Sequence, residues 1–375
     1  MKERIAWPRL TSPPPSASAP GLPFRMHGEG KRPGVARPGG EIEGQIAQAP
    51  SENRGYAADS WLTVLSVSWR SAEWLRDLFA NMLALADQPD GLRLLVADNT
   101  NGADTALQSL DFPHLEIVPV DVGGQIMSMA HAHGLNTLWE RVETPFALIV
   151  DPDVALLQPA WDSALRQSFA VQDVVAIGAP YPAWKTGKYH DFPSPIFACW
   201  RSDALRALAP DWRPYGRTTH RRLLDFALRQ TFWLPRIFDR FILRLPRRER
   251  RVTRLVERLV GVVSKDTGWQ IAQRARQRGW RAALFDVVRD PQTLDGVTAE
   301  TLPHYRRLAG EFELYAWQKR PFLTHRNPTL TRLDFNLWTN RNVLIYQNRD
   351  DQAAKTALWR ELVAAVRPAP PHGRV

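Results

Sequence analysis

From Trp61 onward, short apolar runs alternate with stretches in which apolar residues recur every three to four positions. Mostly apolar runs of five to seven residues predict buried strands, and the longer period predicts helices. "LTVLSVS" (62–68), "LRLLVA" (92–97), "HLEIVPV" (114–120) and "FALIV" (146–150) read as strands. Between them, Leu75, Leu78, Phe79, Met82 and Leu83 share one helical face, with Ser71 placed to cap a helix ending near Leu85. A second helix is expected from about Ile126 to Arg141. Strands alternating with helices predict an α/β fold, a mainly parallel sheet flanked by helices on both faces. Further on, "IFACW" (196–200) and "RAALFDVV" (281–288) read as strands, with a helix in "DTGWQIAQRARQRG" closed by Gly279. Near the end, Leu358, Trp359, Leu362, Val363 and Val366 again have helical spacing, with Asp350 and Asp351 at the favourable N-terminal end.

Residues 1–58 break this pattern. They are rich in Pro, Gly, Ser and Ala, without periodicity, and read as a disordered tail. Met26 is an alternative start. Residues 59–300 are expected to form the main domain, and residues 301–375 a C-terminal extension closing one side of it. The basic start MKER is followed by prolines rather than an apolar core, so a secretory signal is not expected. The single cysteine, Cys199, excludes an intrachain disulfide. A cytoplasmic protein is expected, with peripheral attachment to the inner face of a membrane as one variant.

Charge sharpens the picture in one place. The net charge is +10, and the segment from Trp212 to Val260 accounts for all of it, with 14 Arg against 4 acidic residues. Within it, Ile237, Phe238, Phe241, Ile242 and Leu245 lie on one helical face opposite Arg236, Arg240 and Arg244. Val252, Leu255, Val256, Leu259, Val260 and Val263 repeat the arrangement against Arg250, Arg251, Arg254 and Arg258. A basic amphipathic helical insertion over about 212–263 follows. Such helices either pack on their own domain with the arginines solvated or lie on an anionic membrane surface. No nucleic-acid module accompanies the arginines, so a nucleic-acid partner is not expected.

The chemistry-bearing residues gather where strands end. In open α/β sheets, ligands bind beyond the carboxyl ends of the strands. Three polar clusters fall there: "SVSWRS" after the first strand, "DNTNGAD" after the second and "DPD" after the fourth. Asp151 and Asp153 form either an ordinary acidic turn or a clamp for Mg²⁺ or Mn²⁺. Such an ion takes oxygen ligands and is often held by one or two carboxylates plus substrate phosphates. Asp98, in Asp-Asn, is a turn former by chemistry alone.

The order of these pieces, "SVSWRSAEWLRDLFANML", "LLVADNTNGAD", "DVGGQ" and "HAHGLNTLWERVETPFALIVDPDV", resembles the family 2 glycosyltransferases of the GT-A fold. The resemblance covers residues 61–160 well and runs loosely to about 290. It implies transfer of a sugar, hexosyl or deoxyhexosyl, from a nucleoside-diphosphate sugar to a hydroxyl on a glycan or lipid-linked glycan, with inversion. It places Ser66, Val67, Ser68 and Trp69 around the nucleoside, Asp98 on the donor's base, and a metal on Asp151 and Asp153. Asp151 would also face the donor. His131 and His133 stand where many members carry A-R-N-x-G, and are candidates for contacting phosphate or the donor sugar. The family's base is a carboxylate before a helix on the acceptor side, matched here by Asp266, although Lys265 replaces its usual acidic neighbour. The bland role for Asp266 is a helix cap. His190 and Asp191 compete with it as base, and Trp269 joins them as an acceptor-side candidate. A non-catalytic scaffold of the same fold, at the membrane surface, is the alternative.

Overall fold

The computed structural model describes residues 60–125, 127–214, 227–228, 231–246, 249–263, 265–326 and 349–368. The expected N-terminal tail lies outside the described residues. The first strand, β1 (Leu62–Ser68), is buried at all seven positions. A strand covered on both faces is mainly apolar without strict alternation, as in "LTVLSVS", whose buried Thr63 and Ser66 hydroxyls find partners at Thr144 and the Val150 carbonyl. It is followed by helix α1 (Ala72–Leu85) and strand β2 (Leu92–Asp98), also buried throughout. Then come β3 (Leu115–Pro119), α2 (Ser128–Trp139) and β4 (Phe146–Val150). Ser71 stands at the start of α1 as expected, but its side chain does not cap it. The Ser68 hydroxyl accepts from the Ser71 N–H instead, at 3.1 Å.

Past β4 the chain continues with β5 (Val154–Leu156), α3 (Trp161–Val171), β6 (Ala176–Gly178) and β7 (Phe197–Arg201). Two short helical stretches follow in the basic segment: α4 (Trp233–Ile237), extended by a wider turn over Phe238–Ile242, and α5 (Arg251–Val260). Helix α6 (Trp269–Gln277) leads to β8 (Ala282–Leu284) and β9 (Asp286–Val287). The last elements are α7 (Leu302–Glu311), β10 (Glu313–Trp317), β11 (Arg320–His325) and α8 (Arg349–Val366).

The architecture is α/β. A seven-stranded sheet has the order β3-β2-β1-β4-β7-β6-β8. Only β7 runs against its neighbours; the other pairings are parallel. One apolar cluster fills each face. Leu62, Val64, Phe79 and Phe197 belong to one, and Leu65, Ala132, Leu135 and Ile271 to the other. Helix α2 lies so close to the sheet that a Cβ on Gly134 would meet the Ala97 Cβ at 3.0 Å and Val67 Cγ1 at 3.1 Å. Only glycine permits that approach.

A second sheet, β5-β11-β10-β9, departs from the expected plan. The run 281–288 is not one strand. Ala282–Leu284 joins the first sheet and Asp286–Val287 the second, with Phe285 buried between them. From the expected C-terminal extension, β11 pairs with β5 of the expected main domain. A third apolar cluster, with Tyr305, Leu308, Leu314, Trp359 and Leu362, lies under this second sheet. Among the described residues no helix is long and apolar enough to cross a membrane.

Candidate active site

Strands β1 and β4 pair only as far as Leu65 and Ile149. Beyond that point the Ser66 hydroxyl donates to the Val150 carbonyl at 2.9 Å, and the Asp151 N–H donates to the Ile196 carbonyl at 3.1 Å. The chain then turns through Asp151-Pro152-Asp153 into β5. The β5–β11 register sets Val154 opposite His325, and the Arg326 N–H donates to the Asp153 carbonyl at 3.0 Å. Strand pairing thus carries an imidazole to the aspartates from 172 residues away. His325 Nε2 lies 3.1 Å from Asp153 Oδ1 and 3.8 Å from Asp151 Oδ2. One ligand atom from each of the three residues falls within 4.8 Å of the others. Two carboxylates and an imidazole make a donor set suited to a divalent cation that takes oxygen and nitrogen ligands.

The surroundings of His325 are themselves charged. Its Nδ1 faces Glu313 Oε2 at 3.4 Å. Glu313 is buried, pairs with Lys185 at 2.9 Å and accepts from the Tyr315 hydroxyl at 3.0 Å. Burial would raise the Glu313 pKa, but Lys185 and His325 outweigh it and hold the carboxyl below its ordinary range. At Asp151 the balance goes the other way. Burial pushes it up to about 7, against His325 and with Asp153 and Asp266 adding their repulsion. A carboxyl raised among other carboxylates marks a place where added positive charge is favourable.

The expected base stands across from the aspartates, in the segment before α6. Asp266 Oδ1 accepts from the Ser128 hydroxyl at 2.6 Å and the Thr267 N–H at 2.9 Å, and Oδ2 pairs with the Lys188 ammonium. Burial opposes ionisation, but Lys188, Ser128 and the Thr267 N–H outweigh it and hold Asp266 well below the usual carboxylate range. Its carboxylate is not the side-chain cap of α6, which starts after Gly268 in a left-handed conformation.

His131, in the first turns of α2, links the two halves. Its Nε2 is 3.9 Å from Asp151 Oδ1, and its Nδ1 is 3.3 Å from the Thr267 hydroxyl. Burial lowers its pKa to about 4 against the pull of Asp266, so the ring is neutral near pH 7. His133, two residues along the helix, is turned by about 200° and does not face this cluster.

The remaining expected residues divide. Ser66, Val67 and Ser68 are buried. Trp69 is 62% exposed and, with Arg70, Asn99, Thr100, Asp121 and Gln125, lines a cleft of about 380 Å³ at the ends of β1, β2 and β3. Asp98, expected on the donor's base, precedes Asn99 of that lining and is not itself part of it. It is fully buried, and its oxygens accept from the Thr100 N–H and hydroxyl, the Gly102 N–H and the Gln108 amide. Three of these donors come from its own turn and the fourth from the Gln108 side chain in the short helix that follows. The two competing bases are also engaged elsewhere. Asp191 forms a two-pronged ion pair with Arg276. His190 sits between the Tyr181 carbonyl at 2.8 Å and Glu257 at 3.2 Å. Burial lowers the His190 pKa, but those two partners outweigh it and leave it raised. Trp269 packs beside Tyr189 and under Arg276. His325, Glu313 and Lys188 were not foreseen. "LTHR" carries no motif, and only the β5–β11 pairing reveals the histidine.

No protein-family model matches the sequence, and no curated protein matches it. Solved structures do. The mannosyltransferase PcManGT from Pyrobaculum calidifontis, in complex with GDP-Man and Mn²⁺, is 15% identical. That match covers 67% of this chain and 60% of that one, with a TM-score of 0.38. TarS 1-349 of S. aureus is 15% identical over 40% of this chain and 50% of that one, with a TM-score of 0.31. Mouse xyloside xylosyltransferase 1 is 10% identical over 61% of this chain and 85% of that one, with a TM-score of 0.32. The chain thus spans between half and three fifths of the first two.

Proposed function

We propose that the protein is a metal-dependent glycosyltransferase of the GT-A type, moving a sugar from a nucleoside-diphosphate donor to an acceptor hydroxyl with inversion. The observation that carries this is the convergence of Asp151, Asp153 and His325 at the end of a parallel strand, with an ionised carboxylate, Asp266, facing them. Asp151, Asp153 and His325 are the residues that would hold Mn²⁺ or Mg²⁺, and the imidazole favours Mn²⁺. When bound, the cation offsets the negative charge of a departing diphosphate.

The chain's own residues supply the rest. The cleft beside Trp69 offers an aromatic face for a nucleobase, and Arg70, on the same wall, offers charge toward phosphate. His131, neutral and held by Thr267, is a hydrogen-bonding group for the donor rather than a second cation. Asp266 accepts the proton of the acceptor hydroxyl. The acceptor oxygen forms its bond to the anomeric carbon as the bond from that carbon to the diphosphate oxygen breaks, the electron pair leaving with the diphosphate. Lys188 and Ser128 fix the carboxylate's orientation for that transfer. The acceptor is a glycan or lipid-linked glycan.

The test is release of nucleoside diphosphate from a panel of UDP-, GDP- and dTDP-sugars with Mn²⁺. Turnover with at least one donor is expected, with loss in Asp153→Asn. Asp266→Asn should retain donor binding but lower kcat by about 10²- to 10⁴-fold, the usual contribution of a positioned base. If no donor shifts the melting temperature and none is turned over, the protein is a non-catalytic scaffold.

A further inference from the structure

The basic helical hairpin is built inside out. Between α4 and α5 the fully buried side chains are polar. The Asp239 carboxylate accepts from the Val252 N–H at 3.0 Å, the Thr253 N–H at 2.8 Å and the Thr253 hydroxyl at 2.5 Å. The large apolar side chains face outward. Leu234 is 67% exposed, Phe241 66%, Ile242 63%, Leu255 57% and Leu259 80%. Helices that pack only on their own domain turn their apolar stripe inward. The buried Asp239–Thr253 pair instead holds the hairpin in the orientation that presents it. A cluster of exposed apolar side chains of this kind marks a surface that something covers.

The charge around it selects the occupant. Arg240, Arg244, Arg251 and Arg258 are exposed among these side chains. A second copy docking face to face would set the same arginines against themselves, because a two-fold contact uses one patch twice. Nucleic acid would match the charge but leave the leucines and isoleucine in water. An anionic bilayer satisfies both, with apolar side chains in the acyl boundary and guanidinium groups among the headgroups.

We propose that this hairpin docks the protein on an anionic membrane surface. It is also tied to the candidate site. Glu257 Oε1 accepts from the Gly187 N–H at 2.6 Å, and the Val263 N–H donates to the Gly187 carbonyl at 3.0 Å. Gly187 has a φ of +81°, and a Cβ there would meet Phe232 and Val263 at 3.1 Å. The next residue, Lys188, is the partner of Asp266. A docked hairpin therefore holds the base's loop beside the bilayer, where a lipid-linked acceptor presents its hydroxyl. That last step rests on the sugar-transfer reading; the docking does not.

Flotation of the full chain tests it, using vesicles of phosphatidylcholine alone and of phosphatidylcholine with phosphatidylglycerol. The protein should float with the mixed vesicles at low salt and not with phosphatidylcholine alone. Combining Arg244→Gln, Arg251→Gln and Arg258→Gln should weaken that binding on the order of 100-fold, from about fivefold per arginine. Combining Phe241→Ser, Ile242→Ser and Leu259→Ser should abolish flotation while leaving the melting temperature unchanged, because these side chains are already in water. Failure of the unmodified chain to bind mixed vesicles overturns the proposal. So does an apolar variant that floats like the unmodified chain, or one whose only change is conversion from dimer to monomer. Flotation needs no turnover. Binding without transferase activity therefore refutes the function above and not the docking, and the converse holds equally.

Discussion

At the scale of single residues, the site depends on how charges are held. Asp266 is ionised because Lys188 and Ser128 overcome the cost of its burial. If it is the base, activity requires its carboxylate form. The acid limb of the pH–rate profile should then lie below the ordinary carboxylate range. Lys188→Met removes the stabilising charge, so the limb should move up in pH, and an unmoved limb assigns the base elsewhere. The linked stability has the same sign: present above the unfolded carboxylate pKa, lost as pH falls through the depressed one. Glu313 acts one step back, on His325. A carboxylate on the second nitrogen of a ligating histidine fixes its orientation, and losing it typically costs about 10- to 100-fold in metal affinity. Glu313→Gln should weaken Mn²⁺ binding by that much in calorimetric titration, and unchanged affinity would remove His325 from the ligand set. Of the residues that meet here, sequence singled out Asp151, Asp153 and Asp266 because each follows a strand or precedes a helix in the order of the resemblance. His325 was hidden because its place depends on a pairing across 172 residues. Asp98 is ambiguous in sequence for the opposite reason. Asp-Asn serves a turn and a ligand equally well on paper, and the turn role is the one its hydrogen bonds show.

Elements were most legible where one environment persists along their length. β1 and β2 are buried end to end, so their apolar runs mark them to within a residue. The run 281–288 failed because its two halves serve different sheets around a buried Phe285, and an apolar run contains no record of which sheet it joins. The short strand β5 was missed because its three residues merge with the turn before it. It is held from outside by a side chain on α1. The Asn81 amide donates to the Leu156 carbonyl at 3.1 Å, and its oxygen accepts from the Leu156 N–H at 2.6 Å. Asn81→Leu keeps the volume and removes both bonds. Each buried backbone group left without a partner costs about 1–3 kcal/mol. The variant should melt earlier and bind Mn²⁺ more weakly, because β5 carries Asp153 toward His325. Earlier melting with unchanged Mn²⁺ affinity would show that the turn holds its shape without that brace.

Across the whole molecule, His325, the proposed metal ligand on β11, is kept in place by the far end of the chain. Arg326 directly follows His325 and lies over the Trp74 ring at 4.4 Å. Arg360 approaches the same ring at 5.2 Å and pairs with Glu73 at 2.8 Å and Asp77 at 2.7 Å. Trp359, 6.0 Å from Trp74 between ring centroids, is buried in the cluster that also holds Leu308 and Leu362. Helix α8 is thus clasped to α1, and α1 in turn braces β5. The clasp was legible in sequence only as an amphipathic helix, since a repeat of Leu358, Leu362 and Val366 does not reveal what the apolar face covers. Trp359→Ala should cost about 3–5 kcal/mol, the usual range for emptying a buried tryptophan site. That is a fall in Tm on the order of 10 °C for a chain of this size. Mn²⁺ affinity, measured well below the transition, should fall as well, although Trp359 touches none of the three ligands. Arg326 loses its backing on Trp74, and with it the hold on His325 and on the Asp153 carbonyl loosens. If Tm falls and Mn²⁺ affinity does not, the β5–β11 pairing alone is sufficient to hold the triad, and α8 serves stability only.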